Sequence, residues 1–172
     1  MFDQTLRMTS KLVAFVAVMG ATANLLGFFA IPIGPTKFHL LQLPIILAGL
    51  SLGPWIGGLV GFVGAAVMAY TTLNPYLLLG NAILGFSVGA MYSHLKGMKG
   101  IPLLPQLISL LGAYIVQSPY VYVTDVFLMA MPSLLVQTVI LPKLFVEDVI
   151  SVLLCHPILF RVNIEKLIRQ ER

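Results

Sequence analysis

Residues 38–95 read FHLLQLPIILAGLSLGPWIGGLVGFVGAAVMAYTTLNPYLLLGNAILGFSVGAMYSHL, 58 positions without one charged side chain. A hydrocarbon core takes about 20 apolar residues per helical crossing, so this stretch is long enough for nearly three. Gly53-Pro54 and Asn74-Pro75 interrupt it, because proline cannot continue a helix that precedes it. Three helices are therefore expected at about 39–52, 55–70 and 76–94. Outward from them, Lys11 to Lys37 encloses 25 uncharged residues and Lys99 to Asp125 another 25. These add helices at about 12–31 and 103–125, and a last one at about 143–160. The sequence thus predicts an all-α polytopic membrane protein: one domain over residues 1–172, a compact bundle of six transmembrane helices.

Composition agrees. Hydrophobic residues make up 59% and charged residues 9%, against roughly 45–50% and 25% in soluble domains. Soluble enzymes, disordered tails and disulfide scaffolds are excluded. The net charge of +4 forms no basic stripe with interleaved aromatics, so nucleic acid is not an expected partner. Cys155 is the only cysteine; it allows no internal disulfide and reads as a small apolar helix residue.

Basic residues set the expected topology by the positive-inside rule. Arg7 and Lys11 put the N-terminus in the cytoplasm, Lys96 and Lys99 put their loop there, and Arg161, Lys166, Arg169 and Arg172 do the same for the C-terminus. An even number of crossings must separate Lys11 from Lys96, which four satisfies. The second helix is then short. Ala21-Thr22-Ala23 mimics a signal-peptide cleavage site, but the apolar run continues to Ile31, the length of a membrane helix. The expected location is the plasma membrane, multi-pass, with the bilayer as solvent.

Catalytic signals are missing: there is no HExxH, GxSxG or P-loop, and His39, His94 and His156 are scattered. No metal site, cofactor or enzymatic activity is expected, and ATP-driven work would fall to a partner. What remains is polar groups in apolar helices, each costly unless it has a partner or a role. Tyr114, Ser118, Tyr122 and Asp125 fall at i, i+4, i+8 and i+11 of the fifth helix, with Gln117 beside them. Asn74 and Asn81 stand two turns apart at the fourth. Lys143 and Glu147 are i,i+4 neighbours at the head of the sixth, followed by Asp148. Together Asn74, Asn81, Tyr114, Gln117, Tyr122, Asp125, Glu147 and Asp148 are the candidate substrate-binding residues. An interfacial ion pair and a tyrosine belt are the plainer alternatives. Aromatic walls with a few polar groups suit a small-molecule pocket, and this mixture suits a neutral or cationic heteroaromatic ring better than a polyanion. Glycines at four-residue spacing (Gly53, Gly57, Gly61; Gly85, Gly89) suggest close helix packing within the bundle, with homodimerisation the lesser alternative.

The block Gln42-Leu43-Pro44-Ile45-Ile46-Leu47-Ala48-Gly49-Leu50-Ser51-Leu52-Gly53-Pro54-Trp55-Ile56-Gly57-Gly58-Leu59-Val60-Gly61 resembles a stretch of the S components of energy-coupling factor (ECF) transporters. Leu141-Pro142-Lys143-Leu144-Phe145-Val146-Glu147-Asp148-Val149-Ile150-Ser151 resembles that family's proline-initiated last helix. Ala17-Val18-Met19-Gly20-Ala21 fits its AxxxA docking pattern, with Ala14 and Asn24 on the same face. The resemblance implies a high-affinity subunit that captures a small water-soluble vitamin or cofactor precursor outside and delivers it inward. It also implies partners: one membrane coupling subunit and two cytoplasmic ATPases. The loop holding Gly34, Lys37 and His39 would be the gate, and Ala14, Ala17 and Ala21 the docking face. The lysine–asparagine pattern associated with riboflavin-binding members after the GP motif is missing, Gly61-Phe62-Val63-Gly64-Ala65-Ala66 standing there; this counts against riboflavin without ruling it out. The competing class is a membrane protein with no transport role, an assembly factor or membrane enzyme on a glycine-rich bundle.

Overall fold

A computed structural model of the chain describes residues 9–33, 36–98, 100–162, 164 and 168. Helix α1 spans Ser10–Phe28, capped by Thr9, whose Oγ1 accepts from the Leu12 N–H at 3.3 Å. It buries Leu12, Gly20, Ala23 and Gly27. The helix stops three residues short of the expected 31. Strands β1 (Ile31–Ile33) and β2 (Thr36–Phe38) form an antiparallel hairpin instead, pairing Ile31 with Phe38 and Pro32 with Lys37. Pro32 has no N–H to donate, which a two-stranded edge tolerates and a helix interior does not.

Helix α2 (Gln42–Leu52) buries nine of its eleven residues and is the central post of the bundle; a helix apolar on every side belongs inside. Its Ile46, Leu47 and Leu50 join a core with Leu84, Val88 and Leu110, and its Ile45, Ala48 and Leu52 a second with Ala23, Ile56 and Val60. Gly53 turns the chain with φ of 90°, a conformation open to glycine, and Pro54 starts helix α3 (Pro54–Gly64). Helix α4 (Ala66–Thr71) continues α3 after a break at Ala65. The Asn24 side chain bridges that break: Nδ2 donates to the Val63 carbonyl at 2.9 Å and Oδ1 accepts from the Val67 N–H at 2.7 Å.

Helix α5 (Tyr76–Leu95) lies directly against α2 and α3. A Cβ on Gly49 would sit 2.7 Å from the Gly85 carbonyl oxygen, and one on Gly89 would sit 2.6 Å from the Gly53 carbonyl carbon. The glycine spacing thus serves contacts inside one chain, backbone against backbone. Helix α6 (Leu104–Val123) ends in a wide π turn, Thr124–Leu128, in which the Met129 N–H donates to the Thr124 carbonyl at 2.9 Å. A single helical turn α7 (Ser133–Leu135), a second wide turn (Val136–Ile140) and helix α8 (Leu141–Arg161) follow. The last helical region therefore begins about ten residues before the expected 143. Pro142 lacks the N–H that the Thr138 carbonyl would take, and the chain widens ahead of it rather than stopping.

The architecture is an all-α bundle with one small hairpin. Among the described residues four helical stretches are long and apolar enough to cross a membrane: Ser10–Phe28, Pro54–Thr71, Tyr76–Leu95 and Leu104–Leu128. Helix α2, at about 1.5 Å per residue, is too short to span alone, and α8 carries Lys143, Glu147 and Asp148. Large apolar side chains such as Phe28, Ile115 and Phe127 are two-thirds exposed or more. This inside-out surface is that of a multi-pass membrane protein.

Candidate functional site

At the hairpin end of the bundle a cavity of about 90 Å³ lies between α2, α5, α6 and α8. Its polar lining comes from every one of them: His39 and Gln42, Tyr76 and Asn81, Gln117, Tyr120 and Asp125, and Lys143. Leu41, Met68, Leu77, Val121, Ile140 and Leu144 supply apolar wall. A few converging polar groups in an apolar recess is the ordinary make-up of a small-molecule site.

One wall is built on Glu147, wholly buried on α8. Its Oε1 accepts the main-chain N–H of His39 at 2.7 Å, and its Oε2 accepts Gln42 Nε2 at 3.2 Å. Lys143 Nζ, one helical turn away, pairs with Oε2 at 3.2 Å. The same ammonium lies 3.4 Å from His39 Nε2. An ammonium can only donate, so Nε2 accepts and the imidazole proton sits on Nδ1, 3.6 Å from Glu147 Oε1. Burial first, then the Lys143 charge, pulls the His39 imidazole down to about 4, so the ring is neutral at physiological pH. The residue that follows the hairpin is thereby tied to the last helix.

The opposite wall is amide-rich. Asn81 Nδ2 donates to the Leu77 carbonyl at 2.9 Å, and Gln117 Nε2 donates to the Gly80 carbonyl at 3.0 Å. The second bond joins α6 to α5. Asn74 begins α5 by accepting the Tyr76 N–H on Oδ1 at 3.1 Å, and its Nδ2 donates to Asp125 Oδ1 at 3.1 Å. The wide turn at Thr124–Leu128 carries Asp125 toward α5, where both Asp125 and Asn74 are buried.

Of the predicted substrate-binding residues, Asn81, Gln117 and Asp125 line the cavity, Glu147 supports its wall, and Asn74 holds Asp125. Tyr114 does not line it: its hydroxyl donates to the Leu141 carbonyl at 3.0 Å and its ring packs on Phe145. Tyr122 takes a hydrogen bond from Gln137 Nε2 at 3.3 Å, away from the lining. Asp148 is fully buried and makes no hydrogen bond among the described residues. Of the gate residues, His39 reaches the cavity, Lys37 stands exposed on β2, and Gly34 lies outside the described residues. Ala14, Ala17 and Ala21 are exposed on α1, whereas Asn24, expected on the same face, is turned to the Val63 carbonyl and the Val67 N–H. The sequence reading missed Gln42, Tyr76, Tyr120 and Lys143 as lining. Gln117, Tyr120, Val121 and Thr124, at i, i+3, i+4 and i+7, share a face about 100° wide that is turned by roughly 100° from the face of Tyr114, Ser118 and Tyr122 on a helix of 3.6 residues per turn. Among the described residues no group of His, Cys, Asp or Glu could hold a metal ion.

The recess lies among helices apolar enough to cross a membrane, and among the described residues it sets no nucleophile beside a base. Comparison with known proteins gives the family. The family model described as "ECF-type riboflavin transporter, S component" matches residues 7–165, and the chain belongs to that family. It is similar in fold to the S component of a bacterial ECF transporter, with 19% identity, TM-score 0.70, covering 90% of this chain and 96% of that one. It is similarly close to the S component for biotin of an ECF-type ABC transporter, with 22% identity, TM-score 0.68, covering 94% of this chain and 100% of that one. No curated protein matches. The chain is the substrate-binding subunit of an ECF-type ABC importer, a transport subunit and not an enzyme.

Proposed function

We propose that the chain captures a vitamin or cofactor precursor from outside the cell in the cavity beneath the hairpin and delivers it inward when docked on a coupling module. The bundle then sits with the hairpin outside, both termini in the cytoplasm, and six crossings, the short α2 and the charged α8 being sheltered by the four apolar spans. The observation that carries this reading is convergence: His39, Gln42, Asn81, Gln117, Asp125 and Lys143, drawn from four separate elements, meet at one recess. Asn81, Gln117, Asp125, Glu147 and the supporting Asn74 are the proposed binding set, with Tyr76 and Tyr120 as the aromatic wall in place of Tyr114 and Tyr122. His39 and Lys37 belong to the gate.

Docking is proposed on α1, where Ala14, Ala17 and Ala21 are exposed while Gly20 and Ala23, on the opposite face, are packed against α3. Small side chains allow close approach of a partner helix in lipid. The partner is a membrane coupling subunit carrying two cytoplasmic ATPases, which hydrolyse the ATP. Affinity purification from native membranes tests the reading: the chain should bring down a membrane subunit with ATPases, and native mass spectrometry should show a small molecule carried with it. Recovery of neither would remove the transport assignment of this site.

A further inference from the structure

Asn24 stands where α1 meets the break between α3 and α4. Both hydrogens and the oxygen of its side-chain amide are engaged. Nδ2 donates to the Gly20 and Val63 carbonyls, each at 2.9 Å, and Oδ1 accepts the Val67 N–H at 2.7 Å. The first bond returns to α1, and the other two cross to the two sides of the junction at Ala65. In an unbroken helix the Val67 N–H would donate to the Val63 carbonyl, four residues back. Here the amide stands between those two groups, one on its nitrogen and the other on its oxygen. A side chain inserted into the ladder in this way is a known cause of a kink. Turning the amide over would set its oxygen against two carbonyls, so its orientation is fixed.

The junction reaches in two directions. Toward the cavity, α4 carries Met68 into the lining, and its Ala69 carbonyl accepts the Asn74 N–H at 3.0 Å. Asn74 in turn holds Asp125. Toward the outside of the bundle, Ala17 and Ala21, two turns and one turn before Asn24, are exposed on α1. Between the two, α1 lies close on α3. A Cβ on Gly20 would sit 3.0 Å from Val63 Cγ1, and one on Gly64 would sit 2.6 Å from the Ala23 Cβ. Packing this dense passes a displacement of α1 on to the junction instead of absorbing it.

We infer that Asn24 is the positioning residue through which docking on α1 acts on the cavity. With the amide inserted, α4 is turned out of line with α3, and Met68 and Asn74 stand where the recess needs them. When a partner draws on α1 the amide leaves, the Val67 N–H rejoins the Val63 carbonyl, and α4 swings into line with α3. That motion carries Met68 and the Asn74–Asp125 pair away from the recess and loosens its hold. Both backbone groups keep a hydrogen-bond partner in either arrangement, so the two differ little in energy and differential affinity of the partner for one of them decides which is populated. The inference rests on α1 being the docking face, and it places a moving part in α4, apart from the hairpin.

Spin-label distances on the full chain in lipid nanodiscs test this, using a Cys155→Ala background. A label at Tyr70→Cys on α4 is paired in turn with Ile115→Cys on α6 and Leu153→Cys on α8, all three positions being exposed. A swing of about 20°, the scale of an ordinary kink, moves Tyr70, about 7.5 Å past Ala65 at 1.5 Å per residue, by about 2–3 Å. Asn24→Leu, similar in size and unable to hydrogen-bond, should show that shift in the free chain. The parent should show it only with the co-purified coupling module bound. Asn24→Leu should also bind that module about fivefold tighter, since no amide has to be withdrawn. A residue that merely braces the bundle would lower the melting temperature and leave docking unchanged or weaker. Thr22→Val, which removes a hydroxyl bonded to the Val18 carbonyl of its own helix, should match the parent. Should Asn24→Leu fold poorly, the parent with and without the module decides the matter. Parent distances unmoved by docking, or a folded Asn24→Leu chain that docks no tighter, overturns the inference. If the module binds in those cases the docking reading stands and only the switch falls; if it binds neither chain, both fall.

Discussion

The main-chain N–H of His39 donates to Glu147 Oε1 at 2.7 Å, joining residues 108 positions apart in the chain. The end of the hairpin and the last helix thus share one buried carboxylate, which also holds Gln42 and Lys143. A gate over the cavity would open by parting this contact. Hydrogen bonds to a charged group are worth roughly 1.5–3 kcal/mol, so Glu147→Gln, which keeps the shape and removes the charge, should raise the open population about ten- to a hundredfold. Trypsin cleavage after Lys37, exposed on β2 but held in the hairpin, reads that population when closing outruns cutting. Cleavage at Lys37 should accelerate by that factor, with the sites elsewhere unchanged; an unaltered rate would show that the carboxylate is not what holds the hairpin.

Glycine packing between α3 and α5 predicts a steep local intolerance. A Cβ on Gly85 would collide with the Gly57 carbonyl, and backbone cannot move aside as a side chain can. Gly85→Ala should lower stability by about 1–3 kcal/mol or more, the usual range of overpacking, seen as a drop in melting temperature in detergent. Gly97→Ala, where an added Cβ meets nothing within 4 Å, should leave it unchanged. Equal melting of the two variants would mean the helices can separate freely.

The all-α bundle and its glycine packing were legible because apolar run length and small-residue spacing are local properties of the chain. Gly53-Pro54 announced the turn between α2 and α3, and the Gly53 φ of 90° is the physical content of that signal. The hairpin was not legible, since Ile31–Ile33 reads as the end of an apolar helix run and only its pairing with Thr36–Phe38 distinguishes it. Nor was the stretch before α8: Pro142 reads as the start of the last helix, whereas a wide turn at Val136–Ile140 carries the helical path into it from Ser133. Within the site, Asn81, Gln117 and Asp125 stood out as polar residues in apolar helices. Gln42 and Lys143 gain their place in the lining only through Glu147, a long-range contact that no spacing within one helix displays.

The exposed alanines of α1 predict a separation of functions. Ala17→Leu with Ala21→Leu adds bulk on the outward face of α1, opposite Ala23, which is 0% exposed against α3 and α2. The double variant should fold with the parent's melting temperature and lose co-purification with the coupling subunit. Ala23→Leu should instead destabilise the bundle itself. Loss of thermal stability in the double variant would identify the alanines as internal packing.

Topology follows from the basic clusters by a labelling experiment. On a Cys155→Ala background, Lys37→Cys should react with a membrane-impermeant thiol reagent in intact cells, because the proposed topology puts β2 outside. Ser93→Cys, exposed near the end of α5 and beside Lys96, should react only after the cells are opened. The reverse pattern would invert the proposed bundle and put the cavity in the cytoplasm.

Asp125 is the sharpest test of which face of α6 meets the ligand. It lines the cavity, is 5% exposed, and is held by Asn74 alone among the described residues. A direct contact with a charged donor is worth roughly 1.5–3 kcal/mol, so Asp125→Asn should weaken binding of the molecule carried by the purified chain about ten- to a hundredfold. Tyr120→Ala should weaken it comparably, since the ring lies in the lining and its hydroxyl, donating to the Tyr76 carbonyl at 3.1 Å, fixes its position. Tyr114, bonded to Leu141 and packed on Phe145, should behave differently: Tyr114→Phe removes only that hydroxyl, and affinity should stay within about twofold while melting temperature falls slightly. Calorimetry of the three variants against that molecule separates the alternatives. Strong loss at Tyr114→Phe with none at Asp125→Asn would place the ligand deeper along α6, against α8, and leave the carboxylate as a structural partner of Asn74.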